Sequence, residues 1–526
     1  MKNIKDFYIK SVAVILVALG VSCTKTLDTP PQDRIDASLA LTTSAGVRAS
    51  LANIYSTLKG ESFYGNRLIG LGDALADNGQ ATNKSARYIN EARNLSGASF
   101  NQWSAAYIAI NRINIVLEAL PGIGDASDAQ KTLWEGELKF LRALYHFDLV
   151  RTYAYIPGAV VASVDKGGVP LMLKATTTAD AALTITAPRA TRAAVYSAIY
   201  ADLEDAIVKA PALAAAANAK AYATKSAAQA LLSRVALYNK DFAKVISVSN
   251  DLITARGATL LNAGNYVAGF SSKENPESLF EVSYLIESEG LGVNVALQTL
   301  FTTLKSRQTS PKNDQIETAA EPKFPAAENG GWGDLVPTND LLNALGITAP
   351  SNGLLTSSGS PGTTLITSRS ADVRNRLFEV GSGRRGVIFV ETTKFLGRNG
   401  FINVDNVPVL RIAEAYLNRA EAYAEAGPQQ NVALALADVN TIRVARGLAP
   451  VVGLTGQALI DEILLQRRLE FAFEGHRFFD LKRRGQNIPK PTLGTTISFD
   501  NFVILPAIPV SDVDASKGTL AQNFGY

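Results

Sequence analysis

The segment RRLEFAFEGHRFFDLKRRG (467–485) brings carboxylates, a histidine and arginines together, a combination that could support general acid and base catalysis. Glu470, Glu474 and His476 would be the reacting groups. The apolar residues of this segment nevertheless continue a helical face. We therefore predict that Glu470 and Glu474 form ion pairs with nearby arginines that hold two helices together. His146, beside an apolar helical stripe, is interpreted as a hydrogen-bonded structural residue.

A second motif, GSGRRG (381–386), matches the letters of a dinucleotide-binding loop. Such a loop binds pyrophosphate only where a strand precedes it and a helix follows. Here VIFVETTKF follows, and its β-branched residues predict a strand, so a hairpin turn is the better interpretation. The sequence has no G-x-S-x-G elbow and no P-loop, and its two histidines and one cysteine argue against a metal site. We predict a protein that is not an enzyme and uses no metal or cofactor.

The single cysteine, Cys23, follows a segment typical of exported proteins. Lysines precede an uncharged apolar run at 11–21, which is too short to span a bilayer and fits the middle of a signal peptide. Small residues just before the cysteine are typical of a bacterial lipobox. We predict a signal peptide over 1–22, lipidation of Cys23 that anchors the chain firmly, and a flexible polar tether over 23–37.

Charge and cysteine usage limit the remaining possibilities. The formal charge is +3, and removing residues 1–22 takes away three lysines and one aspartate, which leaves about +1. This balance does not favour nucleic acid, whose binding proteins have a concentrated basic face. No second cysteine is present to form a disulfide. The globular part, predicted over 38–526, must therefore be stabilised by its own core.

Apolar residues recur at helical spacing over 39–255 and 408–485. Residues 409–426 form one stripe that ends at Gly427-Pro428, and a second helix is predicted over 432–446. Residues 227–253 repeat this pattern, with the turn predicted at 239–241. Alanines beside tyrosines in such hairpins are typical of tetratricopeptide-type units. The sequence predicts a mainly α fold with about four hairpins, the others pairing 39–58 with 100–120 and 130–152 with 191–209.

Residues 256–407 differ from the helical regions on either side. They are rich in Gly, Ser, Thr, Pro and Asn, and contain short β-rich runs such as SLFEVSY (278–284) and GVIFVETTKF (386–395). We predict an irregular lobe with short strands, carried on the helical scaffold. Loops held by a rigid scaffold commonly carry binding sites.

Several stretches, in addition to the lipobox at Cys23, resemble a known family. They are WSAAYIAINRINIVLEAL (103–120), ELKFLRALYHFDLVRTYAYIP (137–157), AAQALLSRVALYNKDFAKV (227–245), GGWGDLVPTNDLLNAL (330–345), VPVLRIAEAYLNRAEAYAEAG (407–427), LQRRLEFAFEGHRFFDLKRRG (465–485) and LPAIPVSDVDASKGTLAQNFGY (505–526). Their types and order are similar to those of the SusD/RagB outer-membrane nutrient-binding lipoproteins of Bacteroidetes, and the resemblance extends over nearly the whole chain.

The resemblance implies a mostly helical fold in which four tetratricopeptide-like hairpins cradle an irregular lobe. It also implies attachment to the outer leaflet of the outer membrane, facing the exterior. A protein of this family captures a glycan, or sometimes a peptide, and acts as a lid on a SusC-like TonB-dependent transporter. An alternative is a lipid-anchored scaffold that recruits other surface proteins through its hairpins. A lipid-anchored hydrolase would need a catalytic constellation that the sequence lacks.

Glycan capture needs flat aromatic faces for stacking, together with amides, carboxylates or arginines for the hydroxyl groups. Trp332 lies in a glycine-rich loop and is the best candidate platform, with packing beneath the loop as the alternative. Trp103 and Trp134 fall in helical stripes and are assigned to the core. The resemblance adds a second candidate site in a long polar loop, YGNRLIGLGDALADNGQATNKSARY (64–88), with the residues Asp73, Asp77, Asn78, Asn83, Arg87 and Tyr88.

Overall fold

The computed structural model describes residues 41–178, 180–181, 187–212, 218–304, 331–348, 366–381, 387–397 and 401–526. The predicted signal peptide, Cys23 and the predicted tether lie outside these ranges, as do residues 382–386 of the GSGRRG motif. Within the described ranges, no helix combines the length and apolar character needed to cross a membrane.

The helices of the described chain are longest within 44–256 and 412–483. In chain order they are α1 (Ser44–Leu58), α2 (Arg67–Ala74), α3 (Ile89–Ala92), α4 (Trp103–Ala119), α5 (Asp128–Tyr153), α6 (Arg192–Lys209), α7 (Lys225–Tyr238), α8 (Phe242–Arg256), α9 (Tyr266–Ser271), α10 (Leu297–Phe301), α11 (Asn339–Ala344), α12 (Ile412–Ala424), α13 (Val432–Ala445), α14 (Gly456–Glu470), α15 (Arg477–Arg483) and α16 (Val510–Ala515).

The strands are short and pair two by two in antiparallel ribbons. They are β1 (Gly79–Ala81), β2 (Ser278–Val282), β3 (Leu335–Pro337), β4 (Ile347–Thr348), β5 (Ser368–Arg369), β6 (Phe378–Val380), β7 (Val390–Thr392), β8 (Val407–Arg411), β9 (Ile488–Lys490) and β10 (Thr495–Ile497). The pairs are β1 with β3, β2 with β8, β4 with β5, β6 with β7 and β9 with β10. Because β6 and β7 flank the GSGRRG motif and pair antiparallel, the hairpin interpretation agrees with the described strands.

Six of the long helices in the described chain begin at a capping side chain. Ser127 accepts a hydrogen bond from the Gln130 amide at the start of α5, and Thr224 does the same for the Ala227 amide at α7. Similar caps precede α1, α6, α8 and α13. Each cap satisfies a backbone N–H that would otherwise lack a partner in the first turn. Local sequence therefore sets these helix starts.

The helices pack as antiparallel pairs, as the apolar spacing predicts. Helix α5 packs against α4 and α6, α7 against α8, and α12 against α13. Helix α7 is buried along its whole length, and its many alanines allow the neighbouring helices to approach closely. The prediction of a helix over 409–426 is wrong at its start, because residues 407–411 form strand β8 and pair with β2. The helix itself begins at Ile412.

A buried ion-pair network joins the lobe to the helical scaffold. Arg411 lies 2.7 Å from Glu277, 2.8 Å from Glu470 and 2.8 Å from Glu474. Burial alone would raise the pKa of Glu470, but the charges of Arg446 and Arg411 outweigh it and hold that pKa well below its ordinary value. The predicted ion pairs of Glu470 and Glu474 are confirmed. They link β8 and the end of α13 to α14, and so join more than two helices.

Both histidines are buried among structural contacts. His146 Nδ1 lies 3.0 Å from the Arg142 carbonyl oxygen, and burial lowers the pKa of this histidine to about 4. The ring of His476 stacks on Phe471 at 4.4 Å, and burial and neighbouring arginines lower its pKa well below the ordinary value. Both rings are therefore neutral at neutral pH, as befits structural residues.

Candidate functional site

Residues 64–88 do not form the long polar loop that the sequence suggested. Helix α2 occupies the first part, and its residues 68–74 are buried. Strand β1 follows and pairs with β3, so that Gly79 lies opposite Pro337 and Ala81 opposite Leu335. The loop prediction is therefore wrong for residues 67–74 and 79–81, while short turns over 64–66 and 75–78 and the irregular residues 82–88 make up the rest.

Asp73 and Asn78 are fully buried behind this segment. Asn78 donates a hydrogen bond of 2.9 Å to Asp73 Oδ1, and the Gly475 amide donates one of 3.4 Å to Oδ2. Burial raises the pKa of Asp73 to about 6 in spite of these donors. Since both side chains are enclosed and hydrogen-bonded within the protein, they hold α2 against the turn at Gly475.

Asp77 is also buried, in a bidentate ion pair with Arg477 at 2.7 and 2.8 Å. Arg468 lies 3.3 Å from the same carboxylate. Burial alone would raise the pKa of Asp77, but the hydrogen bond and charge of Arg477, with Arg468, outweigh it and lower that pKa. Asp77 therefore ties the start of the candidate site to α14 and α15.

Tyr88 is 5% exposed and lies beneath the loop rather than at its surface. Its hydroxyl donates a 2.5 Å hydrogen bond to Asn66 Oδ1. The ring packs over Gly70, where an added Cβ would lie 2.6 Å from the tyrosine oxygen. Burial raises the pKa of Tyr88 above its ordinary value. The tyrosine therefore fixes the end of the loop.

Loop 82–88 has an unusual backbone. Asn83, Ala86 and Tyr88 all have φ near +60°, at 61°, 62° and 61°. This region costs L-residues energy, and residues held there cluster at functional sites. The loop is fastened to the segment before β3, because the Thr82 amide donates 2.9 Å to the Asp334 carbonyl and its hydroxyl donates 2.7 Å to the Gly333 carbonyl.

Arg87 and Trp332 lie close together beside these hydrogen bonds, although 245 positions separate them in the sequence. The guanidinium carbon of Arg87 lies 5.7 Å from the centre of the Trp332 ring, within the range of a cation–π contact. Arg87 Nε also donates 2.9 Å to Asp334 Oδ2 and 2.9 Å to Ser85 Oγ. Trp332 is half-buried and Arg87 partly exposed. We call the exposed surface of Arg87 and Trp332, together with Asn83 of the same loop, the Trp332 platform.

Polar groups missed by the sequence analysis orient the platform from below. Asp334 lies two positions after Trp332, and Ser85 donates a 2.5 Å hydrogen bond to its Oδ1. Burial raises the pKa of Asp334, while Ser85 and Arg87 oppose that effect. Lys84 lies 3.2 Å from Glu391 of β7, a contact across 307 positions. The GGWGD spacing could have indicated Asp334, but no local signal points to Glu391.

A cavity of about 220 Å³ lies beside the platform, along β1. Its polar lining residues, two of them cationic, are Gln80, Asn83, Arg93, Thr338, Lys490 and Thr492. Asn83 belongs to both the cavity and the platform. Among the described residues, no group of three or more His, Cys, Asp or Glu side chains is arranged to hold a metal ion. The arrangement is that of a partly preformed binding cleft with an aromatic face, amides and cations.

Family models match two parts of the chain. Residues 387–496 match the SusD family, and residues 37–237 match the family described as "Starch-binding associating with outer membrane". The SusD-like protein P38 of Formosa agariphila is 25% identical over 527 residues, which cover 93% of each chain. The starch-binding protein SusD of Bacteroides thetaiotaomicron is 34% identical over 131 residues, which cover 23% of this chain and 22% of that protein.

Solved structures show the same fold. A SusD superfamily protein from Bacteroides thetaiotaomicron aligns with a TM-score of 0.72 at 22% identity, covering 91% of this chain and 99% of that one. A laminarin-binding SusD-like protein aligns with a TM-score of 0.66 at 21% identity, covering 92% of this chain and 100% of that one. The fold is a tetratricopeptide-like helical scaffold that carries an irregular lobe. The chain belongs to the SusD/RagB family.

Proposed function

We propose that this protein is a cell-surface lipoprotein that captures a glycan and delivers it to a SusC-like TonB-dependent transporter. The observation that carries the proposal is the Trp332 platform, where an indole ring contacts a guanidinium from the loop whose Asn83 lines the adjoining cavity. Sugar rings stack on such aromatic faces while polar groups receive the hydroxyls. Relatives named for starch and laminarin binding support this assignment.

The proposed ligand contacts fall on Asn83, Arg87 and Trp332, which are the sequence-predicted residues with an open face. The other four predicted residues are 5% exposed or less and are already engaged in internal hydrogen bonds or ion pairs. They act as supports, since they hold α2, β1 and the loop beneath the contact surface. These four residues are Asp73, Asp77, Asn78 and Tyr88. The protein binds its ligand without cleaving it.

Titration calorimetry with a panel of glycans that includes laminarin tests the binding. Trp332→Ala should abolish or strongly weaken binding of the positive glycan, and Trp332→Phe should retain part of it, because stacking needs a flat ring. Tyr222→Ala is a matched control, since Tyr222 is 47% exposed and packs on Tyr55 outside the platform. Wild-type binding by Trp332→Ala, or no binding to any glycan, would overturn the proposal.

The family and the N-terminal sequence support a lipid anchor and a transporter partner. We propose that residues 1–22 are removed, that Cys23 is acylated, that 23–37 is a tether and that 38–526 forms the binding domain at the outer membrane. Cys23→Ala should therefore stop incorporation of labelled palmitate. Mild-detergent purification of the lipidated protein should recover a TonB-dependent barrel at near-equal stoichiometry. Recovery of the protein alone, under conditions that keep a related pair intact, would favour the surface-scaffold alternative.

A further inference from the structure

The charged residues that line the cavity beside the Trp332 platform are all positive. Lys490 and Arg93 line it, and none of the described lining residues is an aspartate or glutamate. The remaining polar lining is made of amides and hydroxyls, which can donate hydrogen bonds. Because it has two cations, no anion and several donors, the cavity is suited to negatively charged oxygen atoms.

Lys490 is the unusual member of this lining. Its side chain is 4% exposed, and Nζ donates to the carbonyl oxygens of Ala74 at 2.8 Å and Ala76 at 2.9 Å. Within the described part of the chain, no carboxylate lies within the 4 Å of a salt bridge to this ammonium group. A buried ammonium without a directly paired anion is costly. An anion in the cavity would supply the missing opposite charge.

The carboxylate that acts on the Lys490 ammonium group, that of Asp77, is already paired with arginines. Burial lowers the pKa of Lys490 to about 7, and the carboxylate of Asp77 only partly opposes this. Asp77 forms its own bidentate ion pair with Arg477 and lies 3.3 Å from Arg468. Lys490 therefore keeps a largely uncompensated positive charge when it is protonated.

Lys482 shows what a purely structural lysine looks like in this fold. It is 1% exposed, and its Nζ donates 2.8 Å hydrogen bonds to the carbonyl oxygens of Arg151 and Thr152 at the end of α5. Lys490 makes the same kind of contact at the end of α2. The two lysines thus share a helix-capping role. Only Lys490 also lines the cavity, so capping alone does not account for its position.

The cavity and the platform are close enough to serve one ligand. Asn83 lines the cavity and follows Thr82, which is hydrogen-bonded to Gly333 and Asp334 next to Trp332. Ala81 lines the cavity and pairs with Leu335, which lies three positions after Trp332. Three residues of extended chain span at most about 11 Å. A short oligosaccharide can therefore reach from the indole ring to the two cations.

We propose that this cavity receives the carboxylate or sulfate group of an acidic glycan, while a neighbouring sugar of the same chain stacks on Trp332. This inference rests on the proposed glycan-binding function and adds the substrate class. Arg93 is exposed and would contact the anion at the rim of the cavity. Lys490 is buried and would pair with the anion inside it. Charge-assisted hydrogen bonds of this kind favour the acidic ligand by about tenfold or more.

Calorimetry on the full chain with three matched probes tests the inference. They are a neutral β-1,3-glucan oligosaccharide, the same oligosaccharide oxidised to carboxylates at C6, and its O-sulfated form. We expect wild type to bind at least one acidic form about tenfold more tightly than the neutral form. The better acidic form identifies the anion, and competition by inorganic sulfate shows whether a free anion occupies the cavity.

Substitutions in the cavity test whether it causes the preference for the acidic probes. Lys490→Met and Arg93→Gln should each reduce the acidic preference, measured as the ratio of acidic to neutral affinity, to near unity. Lys482→Met is the matched control for a buried capping lysine, and Arg48→Gln is the control for an exposed arginine. If Lys490→Met fails to fold, Arg93→Gln still decides the outcome.

Equal binding of all three probes by wild type, or a preference that survives Arg93→Gln, would overturn the acidic-glycan inference. Neutral binding that is lost in Trp332→Ala would then still support the proposed function. If none of the three probes binds, the acidic inference fails, and the wider glycan panel separately decides the proposed function.

Discussion

The buried carboxyl of Asp73 should make the stability of this protein depend on pH in a predictable direction. Burial raises the pKa of Asp73 from 3.8 to about 6 in the folded protein. At about 1.4 kcal/mol for each pKa unit, this corresponds to about 3 kcal/mol. Between these two values the folded chain binds more protons at this site than the unfolded chain. The contribution of Asp73 to the unfolding free energy therefore falls as pH rises through that window.

Asp73→Asn removes this titration. The amide also alters the hydrogen bonds with Asn78 and Gly475, but that change does not depend on pH. The unfolding free energy of the variant minus that of wild type should therefore increase by about 2 to 3 kcal/mol between pH 4 and pH 7. Urea titrations followed by circular dichroism at several pH values measure it. A difference that stays constant over this range would refute a raised pKa for Asp73.

Asp480→Asn is the matched control with the opposite sign. Asp480 is equally enclosed, but Arg467 and Arg483 overcome the effect of burial and lower its pKa. A carboxylate with a lowered pKa stabilises the fold above its unfolded pKa, and this stabilisation is lost as pH falls. The same difference for Asp480→Asn should therefore decrease as pH rises to about 4, and it should change little between pH 4 and pH 7. If this difference changed with pH in the same direction for both variants, the local environment would not set the pKa values of these two carboxyls.

Two further substitutions test the supports of the site. Gly72→Ala should destabilise the fold by about 3 kcal/mol, because its Cβ would lie 2.4 Å from the backbone of Gly475, whereas Gly124→Ala has no atom within 4 Å to meet and should be neutral in urea unfolding. Glu470→Gln should cost about 3 to 5 kcal/mol, because it removes a buried negative charge that Arg411 and Arg446 share. Glu204→Gln, in an exposed pair, should cost under about 1 kcal/mol by the same assay.

Local sequence was sufficient for much of the scaffold. The predicted turn at 239–241 separates α7 from α8, and the helix predicted over 432–446 is observed over Val432–Ala445. These elements depend on apolar spacing, a capping side chain and a terminal glycine, all within a few residues of one another. The core assignments of Trp103 and Trp134 also follow from helical periodicity, and both side chains are buried.

The segment around α2 could not be predicted, because its conformation depends on distant contacts. The sequence RLIGLGDA has two glycines and a carboxylate, which favour a loop locally. Gly72 is needed because α2 packs directly on the backbone at Gly475. Asp77 is stabilised by Arg477, which follows it by 400 positions. Tertiary contacts therefore override local propensity here, and they turn expected surface carboxylates into buried supports.

The two interpretations of Trp332 also required the fold to distinguish them. Its ring is half-buried. The ring therefore packs on the protein, with Arg87 beside it, and still exposes part of its surface to solvent. Sequence showed a tryptophan in a glycine-rich loop and an arginine in a polar segment, but it did not indicate that the two meet. The antiparallel pairing of β1 and β3 brings them together. Periodicity carries no information about such a pairing across the chain.

The strained loop 82–88 indicates how the scaffold contributes to binding. Three residues outside the preferred backbone regions cost about 1 to 3 kcal/mol each, and such a loop persists only where its surroundings determine it. Here the determinants are Thr82 and Ser85 bonded to the 333–334 segment, with Tyr88 anchored below. The conformational cost is thus met during folding rather than at ligand encounter. A preorganised platform loses less entropy on binding, so the buried polar residues beneath it affect affinity without touching the ligand.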